Sequence, residues 1–322
     1  MWFWLSIIAV LFWSGSDFFS KLGSRPEDKN SHWKMVMAVG LFMGLHATVE
    51  LLRGTPFTAR DILVYLPVSA LYIAAMVFGY VGLRHIELSI STPLCNSSGA
   101  VAAVLMFFFM KESLAAVQWV AVLLIVAAIY LMTMLERSES EGTGTLTHSS
   151  QGNIGSVSSG KNESAYPSPM THSASAAIQQ LPWLAILFSI LYCIIDGLGT
   201  FADAYVLDNF ISEDSANIAY EYTFLILGVL AFFYVRFYRK ERIVIAKERP
   251  KLLAGICETA GQYAYIFALG ANPIASAPLI SSYCVFSILW ARIFLKEKLT
   301  WKQYAVIVLA VIGIIILGAE GE

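Results

Sequence analysis

The stretch PLISSYCVFSILWARIFLKEKLTWKQ, residues 278–303, decides the fold because its pattern occurs a second time earlier in the chain. An apolar run of helical length ends in the charged turn KEK, and another apolar run follows at once. The earlier copy, PLCNSSGAVAAVLMFFFMKESLAAVQ, occupies residues 93–118 and aligns without a gap. The two copies predict one structural unit, two apolar helices joined by a tight charged turn, that the chain uses twice.

The alignment includes polar residues as well as apolar ones. This matters because matches between apolar residues are common by chance in a sequence this hydrophobic. At a shift of 185 residues, the matched pairs are Pro93 with Pro278, Lys111 with Lys296, Glu112 with Glu297 and Gln118 with Gln303. Both copies place Lys-Glu 18 residues after the Pro, a spacing that chance rarely produces. A shift of 179 residues sets Asp17 on Asp196. The chain therefore consists of two related halves.

Composition limits the class of protein. Of 322 residues, 57% are hydrophobic and 14% charged, whereas a soluble domain carries roughly 25% charged residues. The net charge of −2 gives no basic field for a nucleic acid. The four cysteines lie in apolar runs without the spacing of a zinc site or a disulfide framework. Only an integral membrane protein fits.

Ten apolar runs have about the 20 residues that a helix needs to span a bilayer. They are residues 2–20, 34–52, 62–83, 88–110, 115–134, 182–205, 216–237, 252–269, 273–295 and 300–318. The first run contains Asp17 and follows no Lys or Arg, so we expect a retained helix and not a cleaved signal peptide.

Five helices per repeat is an odd number, so the second repeat must enter the membrane from the opposite side. The predicted fold is an all-α membrane protein with ten transmembrane helices as two inverted five-helix repeats, an architecture that recurs in transporters. We expect a first repeat at 1–135, a disordered linker rich in Ser, Thr and Gly at 136–180, and a second repeat at 181–322.

The motif FWSGSDFFSK at residues 12–21, the Pro that opens helices four and nine, and the matched Glu and Gln residues after these helices carry a family resemblance. The chain resembles the drug/metabolite transporter superfamily, specifically the ten-helix EamA-type transporters. The resemblance implies export or exchange of small metabolites, often amino acids or related solutes.

We therefore expect a secondary transporter that moves a small polar metabolite by alternating access, in the plasma membrane. The alternatives are a multidrug, cation or nucleotide-sugar carrier and, in another class, a non-transporting membrane sensor or structural protein. No GxSxG, HExxH or P-loop motif occurs, so we expect no enzyme, no cofactor and no metal site. The expected partners are a solute and the lipid bilayer, without nucleic acid, and self-association stays open.

Acidic residues inside apolar helices are costly and usually face a wet cavity or the protein interior. We interpret Asp17, Asp196, Glu221 and Glu258 as candidates for proton or charge coupling. The alternative for the two aspartates, placed near the exit ends of helices one and six, is simple solvation among the lipid headgroups. Glu258 aligns with Ile73, an asymmetry that argues against a purely structural role.

The solute is expected to bind between the halves, in a cavity lined by helices one, three, four, six, eight and nine. The candidate binding residues combine aromatic rings with small polar groups, and they are Trp13, Tyr80, Asn96, Ser97, Tyr265, Ser282 and Tyr283. The alternative roles are close helix packing for the small residues and ordinary packing for the aromatic ones.

Two arguments about orientation conflict. Loops one, three, five, seven and nine share one side of the membrane, the odd-loop side, and carry 18 of the 21 Lys and Arg residues. The positive-inside rule then places both termini outside the cell. The family resemblance implies that both termini are cytoplasmic.

Overall fold

The structure, a computed structural model, describes residues 1–23, 28, 30–85, 98–110, 114–149, 182–294 and 299–319. Within these ranges every regular element is a helix. The first repeat contains α1 (Trp2–Gly23), α2 (Ser31–Leu52), α3 (Ala59–His85), α4 (Ser98–Phe109) and α5 (Ala116–Ser149). The second repeat contains α6 (Pro182–Asn209), α7 (Glu213–Phe233), α8 (Arg249–Ala271), α9 (Pro273–Ser281), α10 (Tyr283–Phe294) and α11 (Trp301–Ala319).

These helices match the ten predicted runs one for one, with α9 and α10 together forming the ninth. Six of the described spans are both long and apolar enough to cross a bilayer, and α4 and the first part of α5 are shorter apolar helices. The all-α membrane architecture predicted from the sequence is therefore confirmed.

The ninth crossing is interrupted at Ser282. Its hydroxyl and its backbone N–H both donate to the carbonyl of Leu279, at 2.6 and 3.1 Å, and so disturb the regular helical ladder. The sequence had suggested that Pro278 opens the ninth helix. In the structure Pro278 lies inside α9, so this prediction is wrong. Pro273 takes the first helical position instead, because the side chain of Asn272 caps the helix by accepting from the N–H of Ala275.

Helix pairing shows the inverted repeat directly. The second, fourth and fifth helices of one repeat pack against their counterparts in the other, as α2 with α7, α4 with α9 and α5 with α11. The first helix of each repeat packs against the third of the other, as α1 with α8 and α6 with α3. This reciprocal pattern is what a twofold axis produces, and the odd number of helices places that axis in the membrane plane. The predicted inverted repeat is confirmed.

Small residues bring the paired helices into backbone contact. A Cβ added to Gly40 on α2 would collide with the carbonyl oxygen of Phe224 on α7, and Gly228 faces Gly40 directly. A Cβ added to Gly99 on α4 would collide with Ser281 and Ala277 on α9. Small residues thus allow helices four and nine to approach closely, one of the two roles expected for this region.

Two helix boundaries differ from those inferred from hydropathy. The fifth helix continues to Ser149, well past residue 134, so residues 136–149 of the segment predicted to be a disordered linker are helical. Helix formation tolerates the polar residues at which the apolar run ends. The sixth helix continues to Asn209, which places Asp196 near its middle. The sequence had placed Asp196 near the exit end of the sixth helix, with solvation among the lipid headgroups as one alternative, and the longer helix moves it to the middle.

Candidate functional site

A cavity of about 220 Å³ lies between the two repeats. The predicted helices one, three, four, six, eight and nine line it, and α7 contributes as well. Its lining residues are Trp13, Asp17, Tyr72, Ser98, Gly99, Tyr192, Asp196, Thr200, Tyr220, Glu258, Gln262, Tyr265, Ala277, Ile280, Ser281 and Tyr283.

Helical periodicity brings the polar lining residues onto single faces. On α8, Glu258, Gln262 and Tyr265 follow the i, i+4, i+7 spacing of one helix face. On α6, Asp196 and Thr200 have the same i, i+4 relation. A polar stripe in an otherwise apolar helix thus becomes one wall of the cavity.

The carboxylates of the cavity have hydroxyl neighbours. Ser287 on α10 donates to Asp17 Oδ2 at 3.0 Å, whereas the hydroxyl of Ser16, beside Glu258, donates to the carbonyl of Ala254 at 3.2 Å. Ser98, the first residue of α4, lies beside Asp196 in the cavity lining. Neutral hydroxyls satisfy oxygen lone pairs but leave the negative charge in place.

No Lys, Arg or His is among the lining side chains in the described part of the chain. Asp17 and Glu258 lie close enough for electrostatic repulsion between them. Two like charges in a partly dehydrated site are unfavourable unless a proton or a bound cation compensates them. The cavity is therefore built to attract positive charge.

Aromatic rings and two unpaired hydrogen-bond donors also belong to residues that line the cavity. The Trp13 ring lies 5.1 Å from the ring of Tyr265 and 5.9 Å from that of Tyr283. Trp13 Nε1 and Gln262 Nε2 are buried donors without an acceptor among the described residues. Buried polar groups normally have a hydrogen-bond partner, so both donors are unsatisfied in the state described.

A hydrogen-bonded network closes the cavity on the side opposite the odd loops. Asp203 is fully buried and accepts from Tyr65 at 2.7 Å and, at a longer 3.4 Å, from Tyr72. Tyr72 in turn shares a hydrogen bond of 2.6 Å with the hydroxyl of Tyr265. Tyr220 packs edge-on against both Tyr65 and Tyr72. These groups join α3, α6, α7 and α8 across the two repeats.

Solvent exposure falls along the cavity from one end to the other. Asp17, six residues before the end of α1, is exposed, and Glu258 is half-buried. Gln262 and Tyr265 on the same face of α8 are buried, and Asp203 beyond them is fully buried. The cavity therefore narrows from the odd-loop side to the Asp203 network.

The structure brings together six of the residues singled out from the sequence. Trp13, Asp17, Asp196, Glu258, Tyr265 and Tyr283 all line the cavity. Tyr80 lies in α3, but its side chain is outside the described part, and Asn96 and Ser97 are outside the described residues altogether.

Two other predicted residues lie elsewhere. Ser282 is fully buried, bonds the backbone of its own helix and does not line the cavity, whereas its neighbour Ser281 does. Glu221 is fully buried between α2 and α7, where both its carboxylate oxygens lie 2.9 Å from His46 Nδ1.

The sequence interpretation missed Asp203, Tyr72, Thr200, Tyr192 and Gln262. Their signal was present as spacing, since Asp196, Thr200 and Asp203 form the same i, i+4, i+7 pattern as the polar residues of α8. Tyr192 was recoverable from the repeat, because the shift that sets Asp17 on Asp196 also sets Trp13 on Tyr192. Each repeat thus places an aromatic residue one turn before its aspartate.

Comparison with known proteins gives one family and a fold. The profile of the EamA-like transporter family matches residues 1–134 and 183–319. A solved crystal structure of a protein superposes on this chain with a TM-score of 0.65 at 13% sequence identity, and the match covers 98% of both chains. This similarity concerns the fold alone. No curated protein matches.

Proposed function

Because the chain belongs to the EamA-like transporter family, we propose that it moves a small solute bearing a protonated amine and an oxygen acceptor across the membrane. Amino acids and their close derivatives have this chemistry. The cell membrane is the proposed location.

The observation that carries the proposal is the pairing of carboxylates with unsatisfied donors in one cavity. Asp17, Asp196 and Glu258 offer negative charge to an ammonium group. Trp13 Nε1 and Gln262 Nε2 offer hydrogen bonds to a carboxylate, amide or hydroxyl oxygen. The aromatic rings beside them favour a cation by its attraction to the ring faces.

The size of the cavity supports a small substrate. Its volume of about 220 Å³ is below the roughly 300 Å³ at which pockets for drug-sized ligands begin. A nucleotide sugar is much larger and also brings phosphate charges that the carboxylates would repel. A compact metabolite fits both the volume and the charge.

Alternating access is the proposed mechanism, and the pseudo-twofold packing supports it. In the state described, the Asp203 network closes one side while Asp17 stays accessible from the other. Inverted repeats can exchange their two arrangements by rocking about the axis between them. Breaking the Tyr65 and Tyr72 hydrogen bonds to Asp203 would then open the cavity to the side of the membrane opposite the odd loops.

Coupling to protons follows from the same carboxylates. A carboxylate moved from water into a less polar cavity binds a proton more readily, so its charge can change as the cavity switches sides. An entering ammonium group would displace that proton. Solute and proton then compete for Glu258 and Asp17, and their movements across the membrane are linked.

A second candidate substrate is a simple amine cation without a carboxylate. It is favoured by the lack of Lys, Arg or His among the described lining residues, since a substrate carboxylate would find neutral donors only. The two candidates differ in whether the unpaired donors contribute to binding.

Counterflow into liposomes that contain the purified protein tests the proposal. The panel should pair each neutral amino acid with its decarboxylated amine, its deaminated acid and its amide, beside nucleosides and sugars. We expect flux for amino acids and amides and none for deaminated acids. Flux of deaminated acids or sugars in preference to amines would contradict the proposal.

Trp13→Phe separates the two candidates because it removes the indole N–H and keeps a ring. We expect about fivefold weaker competition by the amino acid, the effect of one lost hydrogen bond, and unchanged competition by its decarboxylated amine. If Trp13→Phe changes competition by the amino acid and by its decarboxylated amine equally, the simple amine cation is favoured as the substrate.

A further inference from the structure

A second pocket lies at the odd-loop end of the second repeat, away from the transport cavity. It has a volume of about 700 Å³ and lies among the loop before α2, the first turns of α2 and α8, and the segment that joins α7 to α8. Six basic side chains line it against three carboxylates, so it carries a surplus of positive charge.

The buried part of this charge is already compensated. Lys34 and Lys251 are 6% and 2% exposed, and both lie in a cluster with Asp28, Glu241 and Glu248, here called the lysine cluster. Lys34 contacts all three carboxylates, and Lys251 lies 2.5 Å from Glu248 and 3.4 Å from Asp28. The cluster lies at the base of the pocket and connects the first turn of α2 to that of α8 through ion pairs.

The surplus comes from four other residues, Arg239, Lys240, Arg242 and Lys247, which are exposed and line the same pocket. Within the described residues, none of the four has an ion-pair partner. Lys240 adopts a left-handed backbone conformation with φ of 54°. A non-glycine residue in this region is strained, and such strain persists where the surrounding structure holds it.

Large apolar side chains flank the basic segment on both sides. Phe237 is 61% exposed and Ile245 is 71% exposed, while Val244 lines the pocket itself. Basic and apolar groups adjoining at the end of a membrane helix match the two parts of a phospholipid, its anionic headgroup and its acyl chains. A soluble anion would use only the basic groups.

We propose that this pocket binds the phosphate headgroup of an anionic membrane phospholipid, with the acyl chains lying against the exposed apolar residues of the α7–α8 segment. The odd-loop side holds 18 of the 21 Lys and Arg residues of the chain, in agreement with a surface that faces anionic lipid. The bound lipid would lie against Lys34 and Lys251 and so against the junction of the two repeats.

The test uses the full-length protein in detergent and short-chain phosphatidylglycerol as the probe. Binding is followed by native mass spectrometry, with phosphatidylcholine and inorganic phosphate as the other two ligands. The pocket variant carries Arg239→Gln, Arg242→Gln and Lys247→Gln. The matched control carries Arg236→Gln, Arg249→Gln and Lys302→Gln, which removes equal charge from the same side outside the pocket lining.

We expect the pocket variant to lose affinity for phosphatidylglycerol by roughly 100-fold and the control by a few-fold at most, because only the pocket residues contact the headgroup. Phosphatidylcholine and phosphate should bind weakly to all three proteins. Equal losses in both variants would mean diffuse surface attraction and overturn the proposal. Saturation by inorganic phosphate at the concentrations that suffice for phosphatidylglycerol would also overturn it, in favour of a soluble-anion site.

The result is independent of transport, since the altered residues are exposed and lie outside the cavity. A melting temperature unchanged from the parent protein in both variants verifies that the fold is retained.

Discussion

The lysine cluster and the cavity between the repeats each hold three carboxylates, and they differ in which groups surround these negative charges. In the cluster, Asp28, Glu241 and Glu248 surround the ammonium groups of Lys34 and Lys251. In the cavity, the neighbours of Asp17, Asp196 and Glu258 include serine hydroxyls and, among the described lining residues, no Lys, Arg or His. The first arrangement is complete by itself, whereas the second requires a proton or a cation from outside.

This difference separates a structural acid from a functional one in the same membrane protein. An acid with a fixed cation contributes to the cohesion of the fold, and its removal should be felt as lost stability. An acid with neutral partners contributes little to cohesion, and its removal should be felt as lost transport. The following experiments test that division.

The largest expected effect is that of Lys251→Met, which removes an ammonium group that balances the negative charges of Glu248 and Asp28. We expect a loss of about 3 kcal/mol in stability, near the lower end for a broken buried ion pair because both acids keep some contact with solvent. The apparent melting temperature in detergent measures it. Arg249→Met, an exposed residue on the same helix, should stay within about 0.5 kcal/mol of the parent.

Glu258→Gln comes next, because it keeps the shape of the side chain and removes the charge. We expect proton-driven uptake to fall at least tenfold, about 1.4 kcal/mol, with the melting temperature unchanged or raised. Exchange at equal solute concentrations on both sides should be spared. If Glu258→Gln, Asp17→Asn and Asp196→Asn all transport normally at every pH tried, these acids are structural and the division fails.

Glu221→Gln tests an intermediate case, a membrane-buried acid whose partner is a histidine outside the cavity. The amide can still accept a hydrogen bond from His46, so we expect a stability change of about 1 kcal/mol. The dependence of uptake on the proton gradient should stay as in the parent. Loss of that dependence would place Glu221 in the coupling machinery, as the sequence alone suggested.

The smallest effect concerns pH. Hydrogen bonds from Lys34 and Asn30 lower the pKa of Glu241, and contacts with Lys34 lower the pKa of Asp28 even though burial alone would raise it. A folded-state pKa below the unfolded one stabilises the fold above the ordinary carboxyl range, and this contribution is lost as pH falls below about 4. Lys34→Met should lower the melting temperature as Lys251→Met does, and in addition should flatten the acid side of the melting-temperature profile. An unaltered profile would show that the lysine does not hold these carboxylates ionised.

The sequence predicted the fold well for two reasons. The bilayer core requires long apolar helices, which hydropathy identifies, and the internal repeat identifies the two halves. The Pro to Lys-Glu spacing sufficed to align helix four with helix nine as equivalent parts of the two repeats, and the two helices contact each other at Gly99. Helix ends were harder, because polar residues continue a helix beyond the membrane as readily as they end it.

The site was partly predictable for a different reason. Asp17, Asp196 and Glu258 stand out singly in apolar sequence, so composition alone identified them. Asp203 was overlooked because it lies close to the end of the apolar run, where an acid is normally solvated. Its burial is explained by the hydroxyls of Tyr65 and Tyr72, which come from another helix. Contacts between helices distant in the chain, such as Glu221 with His46, leave no trace in local periodicity.

The pairing of helices across the repeats means that the two halves of this one chain pack against each other as the two subunits of a dimer do. The most closely packed helix pairs among the described residues, such as α1 with α8 and α2 with α7, join one half to the other. Neither half can therefore bury its own interior, and the residues that join the halves are needed chiefly to raise the effective concentration of each for the other. Two chains covering 1–149 and 182–322, produced together in one membrane, should assemble into a working carrier, whereas either chain produced alone should be degraded.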